Sequence, residues 1–580
     1  MRRCNEEVAG LLQEYADLIA ITGGDAFKVR VYEKAARSVG GYGREIDGMD
    51  AAALRAIPNV GASIAAKIDE YLRTGSIHQL EELRTNIPAG VRLLTTIPTL
   101  GPKKAMVLYH ERGVDSIEKL EDAIHAGALE GLHGFGTKTE ENLLHGIEVM
   151  RKTGSRVHIG IAMAVAEEVV PALSAVPGCE RCAYAGSLRR MKDTIGDVDI
   201  LASVGDPADD SAALMAAFTA LPYVTEVIAH GETKSSVRTA AGLQVDLRVV
   251  PRDSWGAALQ YFTGSKAHNI RTREIAVHRK LKLSEYGVFD VATGEKITSA
   301  DEAEVYGMLG LPWIEPTLRE DTGEIEAALS VGLPRVVTST DIRGDLHTHT
   351  DLTDGLAPLE EMVEAAAARG YAYYAVTDHA PNLFMQRMTD EKALQQRERL
   401  RRLGTARHGM TLLHGCELNI GPEGEVDWPP EFLAGFDLCV ASVHSHFTQP
   451  PEEMTRRLIR ACENPYVKII GHPTARIIGR REPVDADWPR VFDACVRTGT
   501  ALEIDSFPDR LDLPSGLVRR AADRGVLFSI DSDAHAVPHL DVMRYGVGTA
   551  QRGWLTPDRV INTWPLDRLR EFLRPCGEGM

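Results

Sequence analysis

The stretch Gly186-Ser-Leu-Arg-Arg-Met-Lys-Asp-Thr-Ile-Gly-Asp-Val-Asp199 decides how the middle of this chain folds. Its end runs into Val198-Asp-Ile-Leu-Ala-Ser-Val, which reads as a strand. Side chains alternate along a strand, so Asp197 and Asp199 share one face. A second strand, Leu243-Gln-Val-Asp-Leu-Arg-Val-Val, carries Asp246 between Val245 and Leu247, which face the other way. A charged residue at such a position needs a partner. Three converging carboxylates can hold two divalent cations, one activating an attacking hydroxyl and one neutralising a triphosphate and its leaving group. The Gly186-Ser187 turn offers amides and a hydroxyl to phosphate oxygens, and Arg190 a charged fork. A solvated surface strand would explain Asp197 or Asp199 alone, but not the whole set.

Upstream, residues 1–85 read as short amphipathic helices, with Val8, Leu11, Leu12, Tyr15 and Ile19 at helical spacing. Gly23-Gly24 and Gly40-Gly41 interrupt them, and helical signals continue to about residue 150. Three segments look alike: Ile57-Pro-Asn-Val-Gly-Ala-Ser-Ile-Ala, Ile97-Pro-Thr-Leu-Gly-Pro-Lys-Lys-Ala and Leu132-His-Gly-Phe-Gly-Thr-Lys-Thr. Each is a small turn, a glycine and a helix start. They resemble the helix-hairpin-helix motif, whose hairpin amides and helix N-terminus bind a backbone phosphate without reading bases. That makes Gly61, Gly101, Gly134 and Gly136 candidate DNA contacts. Only the third copy has both glycines; Asn59 tolerates the left-handed conformation, and Thr99 does so poorly.

Downstream, residues 317–340 mix Thr, Glu, Asp, Gly and Pro with apolar pieces. From 341 on, apolar runs alternate with Ala- and Arg-rich helices: Tyr373-Tyr-Ala-Val-Thr, Val467-Lys-Ile-Ile-Gly and Val526-Leu-Phe-Ser-Ile are examples. The alternation predicts a (βα)-barrel-like domain with its chemistry at the strand ends. There lie Asp345-Leu-His-Thr-His, Asp354, Thr377-Asp-His, Gly415-Cys-Glu, Ser442-Val-His, Gly471-His-Pro and Asp531-Ser-Asp-Ala-His. His347 and His349 share a face, as do Asp533 and His535. Imidazoles with carboxylates suit zinc, manganese or iron. Nine such groups exceed the needs of one ion, so two or three clustered ions are expected, a set that hydrolyses phosphate esters. His408, His414, His446 and His539 read as structural histidines. Arg476 reads equally as a phosphate contact or a surface arginine.

Composition bounds these readings. The 580 residues, 44% of them hydrophobic, suffice for three or four domains. No apolar run is long enough to span a membrane, and the start, Met1-Arg-Arg-Cys-Asn-Glu-Glu, turns acidic too early for a signal peptide. Eight scattered cysteines fit a reducing cytoplasm, and the lone Cys179-x-x-Cys182 reads as buried thiols rather than a zinc site. Net charge is −18, and residues 1–150 hold seventeen Lys and Arg against twenty-two Asp and Glu. Bulk charge therefore does not favour nucleic acid. DNA binding would rest on local geometry, backbone amides and metal ions.

With these motifs in place, residues 1 to about 320 resemble the nucleotidyltransferase superfamily, specifically the family X DNA polymerases with their DNA polymerase beta-like core. The resemblance implies that Asp197, Asp199 and Asp246 bind Mg2+ or Mn2+, and that Ser187 and Arg190, beside Gly186 and Gly196, bind the incoming triphosphate. It also gives meaning to Tyr261-Phe-Thr-Gly-Ser-Lys-Ala-His-Asn. Tyr261 and Phe262 would pack against the sugar and disfavour a ribose 2′-hydroxyl. Gly264 and Ser265 would shape the pocket, Asn269 touch the incoming base, and Arg273 lie near the template. Gln244 stands where vertebrate members carry an arginine. Lys67 matches the family's lyase lysine, which forms a Schiff base with an abasic sugar and needs a depressed pKa; a solvated helix lysine is the equal alternative. Lys34 is a candidate for binding a 5′-phosphate. Residues 341–575 resemble the PHP (polymerase and histidinol phosphatase) domain. Its ligands would be His347, His349, Asp354, His379, Glu417, His444, His472, Asp533 and His535.

The expected architecture is multidomain, α+β and α/β. A helical lyase-like domain with helix-hairpin-helix spans 1–85, helix-hairpin-helix fingers span 86–155, and a nucleotidyltransferase palm with thumb spans 156–320. A linker spans 321–340, and a distorted (βα)-barrel PHP domain spans 341–580. This order of parts resembles that of bacterial and archaeal family X polymerases. It implies an enzyme acting on gapped or nicked duplex DNA with dNTPs; the cysteines point to a cytoplasmic location, nucleoid-associated during repair, and a monomer is the default expectation. It would fill short gaps in base excision repair, and its PHP site would act as a 3′–5′ exonuclease, with 3′-phosphatase and abasic-site endonuclease as further activities. Two alternatives remain: a PHP phosphoesterase for a small phosphate ester fused to a non-DNA nucleotidyltransferase, and a DNA-end scaffold. The hairpins and Tyr261-Phe262 argue against the first, and the intact acids and histidines against the second.

Overall fold

The computed structural model describes residues 4–575, except 23, 41, 43–45, 88–90, 92, 93, 95, 96, 98, 99, 133, 137, 142, 145, 146, 148–155, 206, 240, 241, 384–387 and 405–408. Among the described residues up to Ile147, every regular element is helical, and one apolar core running from Cys4 to Ile147 joins them. Three turns repeat inside it. Leu54, Ile57 and Val60 are buried at three-residue spacing, as are Leu94, Ile97 and Leu100, and Leu129, Leu132 and Phe135. In each, the third amide donates to the second carbonyl: Val60 to Ile57 at 3.1 Å, Leu100 to Ile97 at 3.0 Å, Phe135 to Leu132 at 3.1 Å. Asn59 (φ 61°) and Gly134 (φ 88°) hold the left-handed position of their turns. Position 99 lies outside the described residues. Exposed Gly61 and Gly101 then cap the helices Ala62–Thr74 and Pro102–Arg112. Exposed Gly136 precedes a helical turn at 138.

The central region is built on a five-stranded sheet. Its order is Arg181–Tyr184, Asp197–Val204, Gln244–Pro251, Lys234–Thr239, Val224–His230. The two middle strands are parallel, with Asp199 opposite Asp246, and the other pairs are antiparallel. One face carries Val198, Ile200, Val245 and Leu247 into a core with the helices Ile159–Ser174 and Pro207–Thr219. The opposite face carries Leu201 and Val250 against the helix Trp255–Thr263. Asp197, Asp199 and Asp246 belong to that second face by alternation. A smaller unit follows, with the helices Lys266–His278 and Glu302–Met308 around an antiparallel sheet of Leu281–Ser284, Gly287–Asp290 and Lys296–Thr298. Residues 321–340 include a helix, Glu324–Leu329. Ile325 and Val336 join the core of the smaller unit, while Val337 joins the core beyond it.

The C-terminal part is a barrel of seven parallel strands in chain order: Gly344–Asp345, Tyr373–Val376, Thr411–Asn419, Leu438–Ser442, Val467–Gly471, Ala501–Asp505 and Phe528–Asp531. A parallel bridge between Thr348 and Ala534 nearly closes it, and the His349 amide donates to the Ala534 carbonyl at 2.8 Å. The strands Tyr373–Val376, Val467–Gly471 and Phe528–Asp531 are buried throughout. Helices cover the outside of such a sheet, so its strands read as continuous apolar runs rather than alternating ones. The barrel packs directly on the central sheet region: Leu511 and Tyr545 join its core, and Arg544 pairs with Glu167. Among the described residues, no helix is long and apolar enough to cross a membrane.

Candidate nucleotide site and candidate metal centre

The parallel register sets Asp199 beside Asp246, and ligand oxygens of Asp197, Asp199 and Asp246 lie within 4.8 Å of one another. Burial, joined by the charges of Asp197 and Asp246, pushes Asp199 up to about 7, against the opposite pull of Arg248 and Arg190. Three acids so close want a cation between them. Gln244 Nε2 donates to Asp246 Oδ1 at 2.9 Å and orients that carboxylate. Gly186 sits directly against the acids. Its φ is 59°, and a Cβ there would fall 2.1 Å from Asp199 Oδ2. Only glycine lets the turn approach this closely. The Ala185 amide ties the turn to the strand by donating to the Asp199 carbonyl at 2.8 Å. Ser187 is half-buried in the helical turn Gly186–Arg189, and Gly196 faces the Arg156 side chain.

The two arginines after this turn part company. Arg190 Nε donates to Glu320 at 3.0 Å and its Nη1 to the Thr263 carbonyl at 2.5 Å. Arg189 turns to Glu302 at 2.9 and 3.0 Å, where Arg319 joins the same carboxylate at 2.6 Å. Gly264 lies beside Arg190, since a Cβ there would meet Arg190 Nη1 at 3.1 Å. The Gly186-Ser187 turn and the Gly264-Ser265 turn therefore meet, and the Gly264–Ser265 peptide is cis. Tyr261 and Phe262 contact edge to face at 5.2 Å, with Arg248 4.7 Å over the Phe262 ring. Ser265 caps the helix Lys266–His278, accepting from the His268 amide. Asn269 is buried: its Nδ2 donates to the Tyr261 carbonyl at 2.7 Å and its Oδ1 accepts from Gln260 at 3.0 Å. Arg273 is exposed and donates to the Asn269 carbonyl. Sequence reasoning missed Gln260 and the fully buried chain Tyr306–His268–Glu324, with His268 at 2.8 and 2.7 Å from its partners. These residues hold the helix that carries Asn269; His268 itself sits inside the quoted motif.

In the helical region Lys67 is buried, its Nζ 3.2 Å from Ser63 Oγ and 5.5 and 5.6 Å from the Tyr15 and Tyr32 rings. The neighbouring acids are engaged elsewhere, Asp69 with Arg73 at 2.8 Å and Glu70 with the His78 amide at 2.9 Å. Lys34 is exposed, while Lys28, which the sequence reading passed over, lies 5.8 Å from the Tyr15 ring.

The barrel gathers its acids and histidines at the C-terminal ends of the strands. Glu417 lies at the centre: His379 Nδ1 is 2.8 Å from it, His472 Nε2 3.0 Å, His444 Nε2 3.1 Å, His347 Nε2 3.5 Å and His349 Nε2 3.6 Å. Asp533 lies 3.1 Å from His349 and 3.6 Å from His347. Asp354 lies 3.4 Å from both His379 and His535. All nine predicted groups thus converge. Burial opposes ionisation of Glu417, but His444, His379 and His347 outweigh it and hold this carboxyl well below its usual range. His347 Nε2, both ring nitrogens of His349, His379 Nδ1, Glu417 Oε2 and His472 Nδ1 are buried and, although several face an opposite charge, none makes a well-aligned hydrogen bond. Such orphaned atoms are costly unless a cation takes them, so this donor set fits metal ions.

Two residues absent from the sequence reading aim the histidines. Glu503 Oε1 accepts from His347 Nδ1 at 2.7 Å, and its Oε2 from the His472 amide at 2.5 Å. Asn419 Oδ1 is 2.7 Å from His444 Nδ1 and is itself held by Asp427. Such partners fix the tautomer of a ligating histidine. Of the four structural histidines, His414 is buried beside Arg397, and burial pushes it down to about 3. His446 is exposed, His539 Nδ1 accepts from the His535 amide at 3.2 Å, and His408 lies outside the described residues. Arg476 is not a surface arginine: its guanidinium, mostly buried, donates to the carbonyls of Arg510 and Leu511 at 2.7 and 2.6 Å and to Asp193 at 3.2 Å. Burial pushes the Cys182 thiol up to about 12. The potential metal-holding groups among the described residues include no cysteine.

Paired strand carboxylates beside a glycine-serine turn, glycine-bearing hairpin turns and a histidine-rich barrel define a DNA polymerase joined to a metal-dependent phosphoesterase. Family models agree: Helix-hairpin-helix domain over 3–77, SAM-like Helix-hairpin-helix tandem over 91–148, DNA polymerase beta thumb over 258–320, and PHP domain over 345–505. The chain is 36% identical over 573 residues to the DNA polymerase/3'-5' exonuclease PolX of Bacillus subtilis, covering 98% of this chain and 99% of that protein. It belongs to the family X DNA polymerases that carry a C-terminal PHP domain. Rat DNA polymerase lambda is 25% identical over 51% of this chain and 53% of its own length. A probable phosphatase of Thermoanaerobacter is 30% identical over 40% of this chain and 94% of its own length.

Proposed function

We propose that this chain is a DNA-directed DNA polymerase that fills short gaps in base excision repair, with a 3′–5′ exonuclease in its PHP domain. The single observation that carries it is the coexistence of two separate acid clusters, Asp197-Asp199-Asp246 and the nine groups around Glu417. The first would hold Mg2+ or Mn2+; the second would hold two or three ions among zinc, manganese and iron. Bound cations would offset triphosphate charge at the first cluster and polarise a phosphodiester at the second. The chain's own residues do the rest. Gly186 and Ser187 present amides and a hydroxyl to phosphate oxygens, beside Gly196, and Arg190 supplies the positive fork. Tyr261 and Phe262 bound the sugar, Gly264 and Ser265 fix the turn beside Arg190, and Asn269 and Arg273 face base and template. Asp197, Asp199 and Asp246 orient the primer 3′-hydroxyl towards the α-phosphate.

The helices of 1–85 and 86–155 grip the duplex through Gly61, Gly101, Gly134 and Gly136, which leave helix N-termini open to phosphate. Lys67, enclosed by Tyr15 and Tyr32, is the candidate amine for a Schiff base with an abasic sugar, and Lys34 a contact for the 5′-phosphate. The PHP site, in 341–580, removes 3′-terminal nucleotides and accepts 3′-phosphates and abasic sites as further substrates. The working form is a monomer of the cytoplasm, with 156–320 as palm and thumb and 321–340 joining them to the barrel. Gap preference is tested by comparing extension on a one-nucleotide gap bearing a 5′-phosphate with extension on an open primer-template. Faster insertion in the gap supports the repair reading; equal or slower insertion refutes it.

A further inference from the structure

Arg552 ends the helix Met543–Arg552 of the barrel domain, yet it reaches the back of the nucleotide turn. Its Nη1 donates to the Arg190 carbonyl at 3.0 Å and to Glu320 Oε1 at 2.8 Å. That same oxygen accepts from Arg190 Nε at 3.0 Å. Lys192 Nζ stands 3.9 Å from it. One carboxylate is therefore shared by three cations, in a place where Arg552 is 11% and Arg190 13% exposed. The contact is also steric. Met191, at φ 52°, packs on Gly548 of the same helix, where a Cβ would fall 2.6 Å from Met191 Cε.

We propose that Arg552 is a positioning residue for nucleotide transfer, supplied by the exonuclease domain to the polymerase site. By sharing Glu320 it keeps that carboxylate from neutralising Arg190, and by binding the Arg190 carbonyl it fixes where the guanidinium starts. The proposal rests on the reading of Arg190 as a triphosphate contact. Three cations around one acid leave an excess of positive charge beside the Gly186-Ser187 turn, and such charge in a partly closed site draws in a polyanion. Without Arg552, Glu320 is left to Arg190 and Lys192, and an incoming triphosphate must compete with it.

The test uses the full chain on a gapped duplex, reading dNTP KM and kcat, primer shortening without dNTPs, and the thermal midpoint. Arg552→Ala is expected to raise dNTP KM about tenfold, the scale of a coupled charge contact, with a smaller change in kcat and unchanged shortening. Arg552→Lys is expected to recover part of the loss, since it restores charge but not the fork. Adding Glu320→Gln to Arg552→Ala is expected to bring KM back towards wild type. An unchanged KM in Arg552→Ala, a parallel fall of both activities with a lower midpoint, or no rescue by Glu320→Gln overturns the proposal. Arg190→Gln separates the two readings. Raised KM there, with an unaffected Arg552→Ala, sinks the Arg552 proposal alone; unchanged KM in Arg190→Gln sinks the nucleotide-site reading itself.

Discussion

Gly186 is the residue on which the polymerase site is most finely balanced, because its missing side chain is the space the Asp199 carboxylate occupies. Gly186→Ala should therefore lower primer extension by about 100-fold through displacement of the acids, while primer shortening stays as in wild type. Steady-state extension and shortening of the same primer check this, and equal loss of both would contradict it. Asp199 also predicts a pH dependence. Its carboxyl lies at about 7 instead of 3.8. Below that pH it takes up a proton, which must leave before a cation binds. The Mg2+ concentration giving half-maximal extension should fall as pH rises through about 7; a flat dependence would count against the assignment. The acids themselves were legible in the sequence, because a two-residue period on a strand fixes their common face. Glu503 and Asn419 were not. They act through the second ring nitrogen of His347 and of His444, a relation that exists only once separate strands are side by side. The same holds for Arg189 and Arg190, adjacent in sequence but held by different carboxylates.

At the scale of elements, the hairpins and the Glu302–Met308 helix make separate predictions. A Cβ at Gly136 meets no protein atom within 4 Å, so Gly136→Ala should leave thermal stability nearly unchanged. It should weaken duplex binding about equally for all sequences while leaving the salt slope unaltered, because no cationic contact is lost. Titrations at several salt concentrations check it; unaltered affinity would remove the hairpin from the DNA surface. Glu302 links that helix to the sheet region. Burial raises its pKa, but Arg319 and Arg189 more than offset this and bring it from 4.5 to about 2. The folded state thus binds this proton more weakly than the unfolded chain. The stability Glu302 contributes is complete above about 4.5 and is lost as pH falls towards about 2. Glu302→Gln, which leaves two arginines short of charge, should cost about 3–5 kcal/mol at neutral pH. Its deficit should shrink across that acid window in urea unfolding; a constant deficit would contradict the account. The barrel was readable in the sequence because short, largely apolar runs such as Val467-Lys-Ile-Ile-Gly alternate with helical stretches. The ion-pair helix was not, since Arg189, Glu302 and Arg319 are brought together only by the tertiary fold.

Across the whole molecule, the order of parts could be read from motifs, but their mutual packing could not. Nothing in Arg476 or Arg552 as sequence announces that each crosses from the barrel to the loop after Gly186, Arg476 at Asp193 and Arg552 at the Arg190 carbonyl. Net charge misled in the same way: at −18 it speaks against DNA, whereas contacts made through the proposed hairpin turns and acid clusters would be local and need no basic surface. On the proposed reading, one chain holds two independent chemistries, extension at Asp197, Asp199 and Asp246 and shortening at the cluster around Glu417. The most direct measurement follows a labelled primer on gapped DNA with Mn2+, with and without dNTPs, for wild type, Asp199→Ala and His349→Ala. Asp199→Ala should abolish extension and keep shortening, and His349→Ala should do the reverse. Loss of both activities in either variant, or a wild type that neither extends nor shortens the primer, would contradict it.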